Sequence, residues 1–238
     1  MQALFSVMRD LVIANRVLAN ENVVDAFGHL SMRHPADPDR YVMACSRSPE
    51  IVTLDDLMEY TLDNDPVDQR GLPMYAERYI HGTIYAARPD VNAVVHNHSL
   101  SVIPFGVTRV KLRPLMHTGS TMGEDIPVWD IREKFGDTTM LVLNNDHGHD
   151  LARCLGDHRI ALMRGHGCVV VGANIREAVM SSIYLEVNAR LQMDCVRLGD
   201  PQYMTPGEID GAQGRFFGEL AVNRAWEYWV RRVNVSGV

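Results

Sequence analysis

The sequence predicts an α/β fold, a mixed and largely antiparallel sheet covered by helices. Three observations carry that expectation. Short apolar runs of strand length interleave with segments of helical periodicity along the 238 residues, as in layered α/β domains. The connections near the start are short and turn-rich, which argues against a sheet built only from parallel crossovers. No linker, repeat or low-complexity tract divides the chain, and 46% hydrophobic with 22% charged residues suffices for one large core.

Leu4, Met8, Leu11, Val12, Val17 and Leu18 recur at helical spacing, which predicts a first helix over 1–20. Arg9, Asp10, Asn15 and Arg16 within it argue against a signal peptide or a membrane span. Gly28 leads into a strand over 30–33, the turn composition of His34-Pro35-Ala36-Asp37-Pro38-Asp39 follows, and a strand over 40–45 completes a hairpin. Thr53 ahead of Asp55 and Asp56 reads as the capped start of a short helix. A helical pattern over 74–87 stops before Pro89 and runs into a strand over 91–97. Further strands are expected over 139–143, 160–163 and 168–171, then the longest helix over 174–198. Beyond Pro201, Pro206 and Gly207, a last helix over 208–232 carries Trp226, Tyr228 and Trp229.

The formal net charge of −7 argues against a sequence-independent nucleic-acid binder, which needs a basic surplus or stripe. A small anionic ligand stays compatible, because a local pair of arginines outweighs a mildly acidic whole. Cys45, Cys154, Cys168 and Cys195 are scattered with no CxxC pair, the pattern of free thiols in a reducing compartment, with Cys168 in the core. The expected setting is cytoplasmic, with no membrane partner.

The chemistry starts at Ala93-Val94-Val95-His96-Asn97-His98-Ser99. Alternate side chains of a strand share a face, so His96 and His98 can point at one ion. Two imidazoles are an incomplete site, since divalent metals usually take at least three protein ligands. Arg164-Gly165-His166-Gly167 lies between two apolar strands, and a histidine flanked by glycines lets backbone approach closely; it supplies the third imidazole. Glu77, on the helix that leads into the HxH strand, is the fourth candidate, as ligand or as acid and base beside the ion. Taken alone, a glutamate in Glu77's position is more often a solvated helix residue.

The order Gly28-His29-Leu30-Ser31, then Ala76-Glu77-Arg78 with His81, then the HxH strand, then Arg164-Gly165-His166-Gly167 resembles the class II aldolase/adducin family over roughly residues 5–198. The resemblance implies a single three-layer α/β/α domain over 1–238 and a homotetramer, with 199–238 an extension engaged in subunit contacts. It implies one divalent ion per subunit, manganese, zinc, cobalt or iron, held by His96, His98 and His166. Glu77 stands at the family's acid/base position, which is also an occasional metal ligand.

Sugar-phosphate aldolases of the family hold phosphate with a Gly-Asn-x-Ser loop, a Thr-Gly or Ser-Gly pair and two serines before the glutamate. This chain has Gly28-His29-Leu30-Ser31, Cys45-Ser46-Arg47-Ser48 and Tyr75-Ala76 at those places, so the donors for a phosphate dianion are depleted. Where aldolases often carry His-Tyr, the chain has His117-Thr118; threonine has too high a pKa and too short a reach to replace that tyrosine as an acid. His117 is kept as a second catalytic candidate against a structural reading.

The wording around these motifs, such as the helix segment from Ile183 to Gln192, is similar to a subgroup containing decarboxylases of hydroxylated aromatic dicarboxylates, for example dihydroxyphthalate or hydroxymethylpyridine dicarboxylate. The expected activity is therefore metal-dependent nonoxidative decarboxylation of an ortho-hydroxylated aromatic acid. The alternatives are an aldolase acting on a non-phosphorylated hydroxy-keto acid and a noncatalytic adducin-like protein, which has no need of all three histidines and the glutamate. Ser46 and Arg47 are candidates for a retained carboxylate, against an ordinary surface ion pair. His29 either contacts substrate or braces the glycine loop, and Tyr75 either flanks the ring or packs in the core. Tyr184 is a further substrate candidate; Glu186, two positions on, points in a different direction. A proton-donating Glu77 needs burial to raise its pKa against the pull of the cation.

Overall fold

The hairpin expected near the start is the beginning of a seven-stranded sheet in the computed structural model, which describes residues 2–236 and 238. In chain order the early elements are α1 (Gln2–Asn20), β1 (His29–Arg33), β2 (Arg40–Ala44), β3 (Leu57–Thr61), α2 (Tyr79–Ala87), β4 (Ala93–Asn97) and α3 (Ile103–Val107). They continue as β5 (Val128–Trp129), α4 (Arg132–Phe135), α5 (Asn145–Leu155), β6 (Ile160–Met163), β7 (Gly167–Gly172), α6 (Ile175–Leu198), α7 (Pro206–Phe216) and α8 (Glu219–Val230). Met1, which begins the expected first helix, and Gly237, within the C-terminal extension, lie outside the described residues.

The sheet order is β3-β2-β1-β4-β7-β6-β5, and every neighbouring pair is antiparallel except β5 with β6. Strand alternation sends side chains to two buried faces. One face, with Leu30, Val42, Val95, Leu162 and Val170, packs under α1, α6 and α8. The other, with Tyr41, Met43, Val94, Ala161 and Val169, packs under α2 and α5. Helices on both faces make three layers, and β4 lies at the centre. No helix among the described residues is long and apolar enough to cross a membrane.

Local chemistry explains the helix starts. Asn144 and Asn174 accept the backbone N–H groups of His147 and Glu177 at the starts of α5 and α6, and Thr205 with Glu208 forms a capping box around Pro206. Thr53 is a cap as expected, its N–H and hydroxyl donating to the Asp56 carboxylate, but the element it starts is only a 3₁₀ turn over Leu54–Asp56 before β3 begins.

Three expectations need correction. The helix predicted over 74–87 begins only at Tyr79. Before it the chain turns tightly, with Arg78 N–H on Tyr75 O and Ile80 N–H on Glu77 O, so Glu77 stands on a turn and not on a helix. The stretch 139–143 is not a strand: Met140 has φ +67°, and side chains, not a neighbouring strand, bond its backbone. Met140 O faces His166 Nδ1, and Val142 N–H donates to Glu77. The single helix predicted over 208–232 is two, broken at Phe217 and Gly218, which caps α8 with extended backbone. Strands β3 and β5 and helix α5 were not anticipated, although Asn144 and Gly156, with φ +49° at the end of α5, are start and stop signals.

The β6–β7 turn shows why His166 sits between glycines. Gly165 has φ +66°, which side-chain-bearing residues rarely adopt. At Gly167 an added Cβ lies 2.0 Å from the Asn97 carbonyl oxygen and 3.1 Å from His98 Cα, so β7 passes against the end of β4 with no room between them. Gly167→Ala is expected to force the strands apart and to destabilise the protein by roughly 3 kcal/mol or more, since overpacking with no flexible neighbour is costly. Urea denaturation monitored by circular dichroism checks this; an unchanged midpoint refutes the close approach.

Candidate metal centre

Four side chains that the sequence singled out separately come together here. Ligand atoms of Glu77, His96, His98 and His166 all lie within 4.8 Å of one another. His96 comes from the end of β4 and His98 from just beyond it, His166 from the β6–β7 turn, and Glu77 from the turn before α2. His96 Nε2 is 3.0 Å from His98 Nε2 and 3.7 Å from Glu77 Oε2, which is 3.4 Å from His166 Nε2.

Hydrogen bonding on the far sides of the rings assigns the tautomers. His96 Nδ1 is 3.1 Å from the Cys168 carbonyl and His166 Nδ1 is 3.0 Å from the Met140 carbonyl. A carbonyl only accepts, so each Nδ1 carries the hydrogen and each Nε2 presents a lone pair to the centre. Burial drives the pKa of His96 well below its ordinary value, and burial, followed by the repulsion a protonated His166 would exert, lowers that of His98. Both are neutral imidazoles.

Burial works to raise the Glu77 pKa, but a hydrogen bond from His166, the positive charge of His96 and His166 whenever they are protonated, and the Val142 N–H outweigh it and bring the carboxyl down to about 2; with those imidazoles neutral, a cation at the centre would take their part. The Val142 N–H bond, at 2.9 Å, engages Oε1 and leaves Oε2 facing the histidines.

These residues fit a divalent cation. His166 Nε2 is buried without a hydrogen-bond partner, and lone pairs beside an ionised carboxylate repel one another unless a cation lies among them. Separations of 3.0 to 3.7 Å are those between atoms each about 2.0–2.2 Å from one ion. Imidazole with carboxylate suits zinc, manganese, cobalt or iron, with no preference visible in the donors.

The remaining candidates divide into two groups. His29 is buried on β1 as the register partner of His96, with ring centroids 5.0 Å apart. The Tyr75 ring lies 4.7 Å from His29 on its other flank. Tyr75 donates its phenolic hydrogen to the Arg47 carbonyl, and burial pushes its pKa up to about 12, so its ring, not its charge, borders the centre. Arg47 is brought alongside through that backbone bond, but its guanidinium pairs with Asp56 at 3.1 Å and its side chain is 45% exposed. Ser46 is exposed, its N–H bound to Pro73 O.

His117 and Tyr184 are not brought to the cluster within this chain. His117 is an exposed residue of a 3₁₀ turn, its ring 5.1 Å from Phe216 in a groove walled by α7 and α8. Tyr184 packs 6.1 Å from the Trp229 ring, between α6 and α8. Glu186 turns the other way, as the helical offset requires, and accepts the hydroxyls of Ser99 and Ser101 just after the HxH pair. That anchor escaped sequence reasoning, and His81, part of the motif order but given no role there, is fully buried against His29. The signal for His81 was its spacing: Glu77, His81 and Tyr85 recur every four residues, along one side of a helix.

Sheet, layers and side-chain geometry together define an α/β/α protein with a cluster of three histidines and one carboxylate. The chain belongs to the class II aldolase/adducin family: the Class II Aldolase and Adducin N-terminal domain matches residues 9–193. It is 32% identical to decarboxylase tropJ of Talaromyces stipitatus, over 97% of this chain and 95% of that protein. It is 23% identical to the 3,4-dihydroxyphthalate decarboxylase of Arthrobacter keyseri, over 95% of this chain and 93% of that one. In fold it matches the L-fuculose 1-phosphate aldolase of Glaciozyma antarctica PI12 with a TM-score of 0.80 at 21% identity, covering 97% of this chain and 89% of that one.

Replacing a ligand separates metal binding from folding. His96→Ala is expected to lower bound divalent metal at least tenfold, in line with the loss of one ligand of a three-imidazole set, with the far-ultraviolet circular dichroism retained. Elemental analysis of purified protein gives the metal content; full occupancy in the variant removes His96 from the centre.

Proposed function

We propose that this protein is a metal-dependent, nonoxidative decarboxylase of an ortho-hydroxylated aromatic carboxylic acid, and so a carbon–carbon lyase. The observation that carries the reading is the convergence of three imidazoles and an ionised carboxylate beside the His29 and Tyr75 rings. Small hydroxyl and amide donors for phosphate are depleted at the corresponding positions. The near full-length likeness to a protein named as a decarboxylase supports the same reading.

An ion held by His96, His98 and His166, with Glu77 beside it, would supply Lewis acidity that stabilises negative charge on a substrate oxygen. The chain's own groups then handle the proton. Because Glu77 is ionised at rest, it acts first as a base and takes the proton of the ortho hydroxyl. The resulting phenolate pushes electron density into the ring, and Glu77 returns the proton to the ring carbon bearing the carboxylate. The carbon–carboxylate bond breaks, its electrons restore aromaticity, and carbon dioxide leaves. The product phenolate then takes one proton from water, which balances the reaction. In this order Glu77 holds a proton only between two steps, so burial need not raise its resting pKa.

Tyr75 and His29 form the wall against which the ring lies, in keeping with the contact geometry preferred by aromatic groups. A second, retained carboxylate is received by Ser46 and Arg47, with Arg47 exchanging Asp56 for the substrate; guanidinium matches either carboxylate equally well. The reading includes self-association, with the outward side chains of α8, Leu220 and Tyr228 among them, on the contact side of the 199–238 extension. His117 and Tyr184 carry no step within one chain.

Two measurements expose the reading. Glu77→Gln is expected to keep most of the bound metal and to slow turnover about 10²–10⁴-fold, the range of general acid–base effects; an unchanged rate removes Glu77 from proton transfer. In a panel of hydroxylated phthalates, cumates and pyridine dicarboxylates, assayed with manganese, zinc, cobalt and iron in turn, at least one acid is expected to release carbon dioxide with no aldehyde. An aldehyde product from a hydroxy-keto acid, with no carbon dioxide from the panel, replaces the decarboxylase by an aldolase.

A further inference from the structure

Behind His29 runs a buried chain of polar groups that the reaction described above does not use. His29 Nδ1 lies 2.6 Å from His81 Nε2, His81 Nδ1 lies 2.6 Å from Ser31 Oγ, and Ser31 Oγ lies 2.8 Å from the Tyr85 hydroxyl. His29 is 5% exposed, His81 and Ser31 0%, and Tyr85 1%. Arg33 closes the far end, its guanidinium 4.9 Å from the Tyr85 ring and bonded to four backbone carbonyls. Against the other side of His81 lies the Tyr41 ring.

The order of donors and acceptors along this chain follows from counting hydrogens. Among the described residues, the one hydrogen-bond acceptor for the Tyr85 hydroxyl is Ser31 Oγ, since the Val94 backbone N–H beside it can only donate, and a buried hydroxyl that does not donate is costly. Tyr85 therefore donates to Ser31. Ser31, having accepted, donates to His81 Nδ1. The hydrogen of His81 is thereby placed on Nε2, from which it donates to His29 Nδ1. His29 is left with its own hydrogen on Nε2, the nitrogen away from His81, which has no hydrogen bond to the protein among the described residues. The reverse order strands the Tyr85 hydrogen with no acceptor.

We infer that His81, Ser31 and Tyr85 are positioning residues that lock His29 in one tautomer and make it a hydrogen-bond donor, through Nε2–H, to an anionic oxygen of the substrate. His29 thus differs in kind from the histidines of the metal centre. The Nδ1 hydrogens of His96 and His166 are held by backbone carbonyls and their Nε2 lone pairs face inward; His29 has its Nδ1 filled by a donor and turns a hydrogen outward. Two neighbouring strands place ligand and donor side by side, at the His29–His96 register pair, so a carboxylate or phenolate bound near the ion meets a donor that cannot switch to an acceptor. The identity of that oxygen rests on the decarboxylase reading; the tautomer does not.

Solid-state ¹⁵N spectra of histidine-labelled, zinc-loaded protein read the tautomer directly, with His29 assigned by loss of its signals in His29→Asn. The expected result is a protonated Nε2 and a bare Nδ1 on His29. A protonated Nδ1 overturns the inference whatever the activity. In the kinetic arm, His81→Leu removes the donor to His29 and is expected to lower kcat/KM roughly tenfold with bound zinc unchanged, the scale of one hydrogen bond to a charged group. His81→Gln restores most of the rate, because its amide donates to His29 and its carbonyl accepts from Ser31. Equal rates in the two variants also overturn the inference. Should the leucine variant fail to fold, the wild-type tautomer still decides. If no aromatic acid is turned over at all, the proposed function falls while the spectra continue to test the lock.

Discussion

The close pairing of β4 with β1 on one side and β7 on the other is the constraint from which the site follows. Backbone hydrogen bonds hold neighbouring strands about 4.8 Å apart, and in this register His29 and His96 are direct partners. On the other edge of β4, Gly167 lets β7 pass against the Asn97 carbonyl, which brings the β6–β7 turn and His166 to the end of the strand. His96 and its neighbour His29 are therefore placed by the sheet ladder itself, and His98 and His166 by the chain just outside strand ends. Glu77 comes from the turn before α2, and its Oε1 is pinned by the Val142 N–H.

That arrangement concentrates polar groups on one buried face. His29, Ser31 and Arg33 occupy alternate positions of β1, and His81 and Tyr85 face them from α2. Such a seam is stable only if its hydrogen bonds are satisfied, since an unpaired buried polar group is costly. Backbone carbonyls and hydroxyls satisfy nearly every group, down to the Nδ1 atoms of the metal-centre histidines His96 and His166. The exception is the set of lone pairs at the centre, where mutual repulsion calls for a cation. An ion among those lone pairs would meet the same electrostatic requirement that hydrogen bonds meet elsewhere along the seam.

Legibility varied with how local the cause was. The first helix, the first hairpin, the strand carrying His96, and the long helix after Asn174 were readable because periodicity and caps act within a few residues. The stretch 139–143 misled because its apolar pattern is that of a strand while its backbone bonds go to Glu77 and His166, residues far away in sequence. Glu77 was expected on a helix because nothing local shows that the chain turns at i→i−3 before Tyr79. His81 was given no role although its spacing from Glu77 was visible, because a histidine on an apolar helix shows its partner only after the helix is laid across β1.

What the sequence determined by itself was the fold class, the family and the candidates for a metal centre, since these reside in residue types at fixed spacing. Tertiary structure decided protonation, pairing and direction. The convergence of lone pairs, the low pKa of Glu77, the pairing of Arg47 with Asp56 and the direction of the chain behind His29 each depend on which atoms lie within hydrogen-bonding or ion-pairing distance. Those distances are set by strand register and helix placement, and no spacing along the chain encodes them.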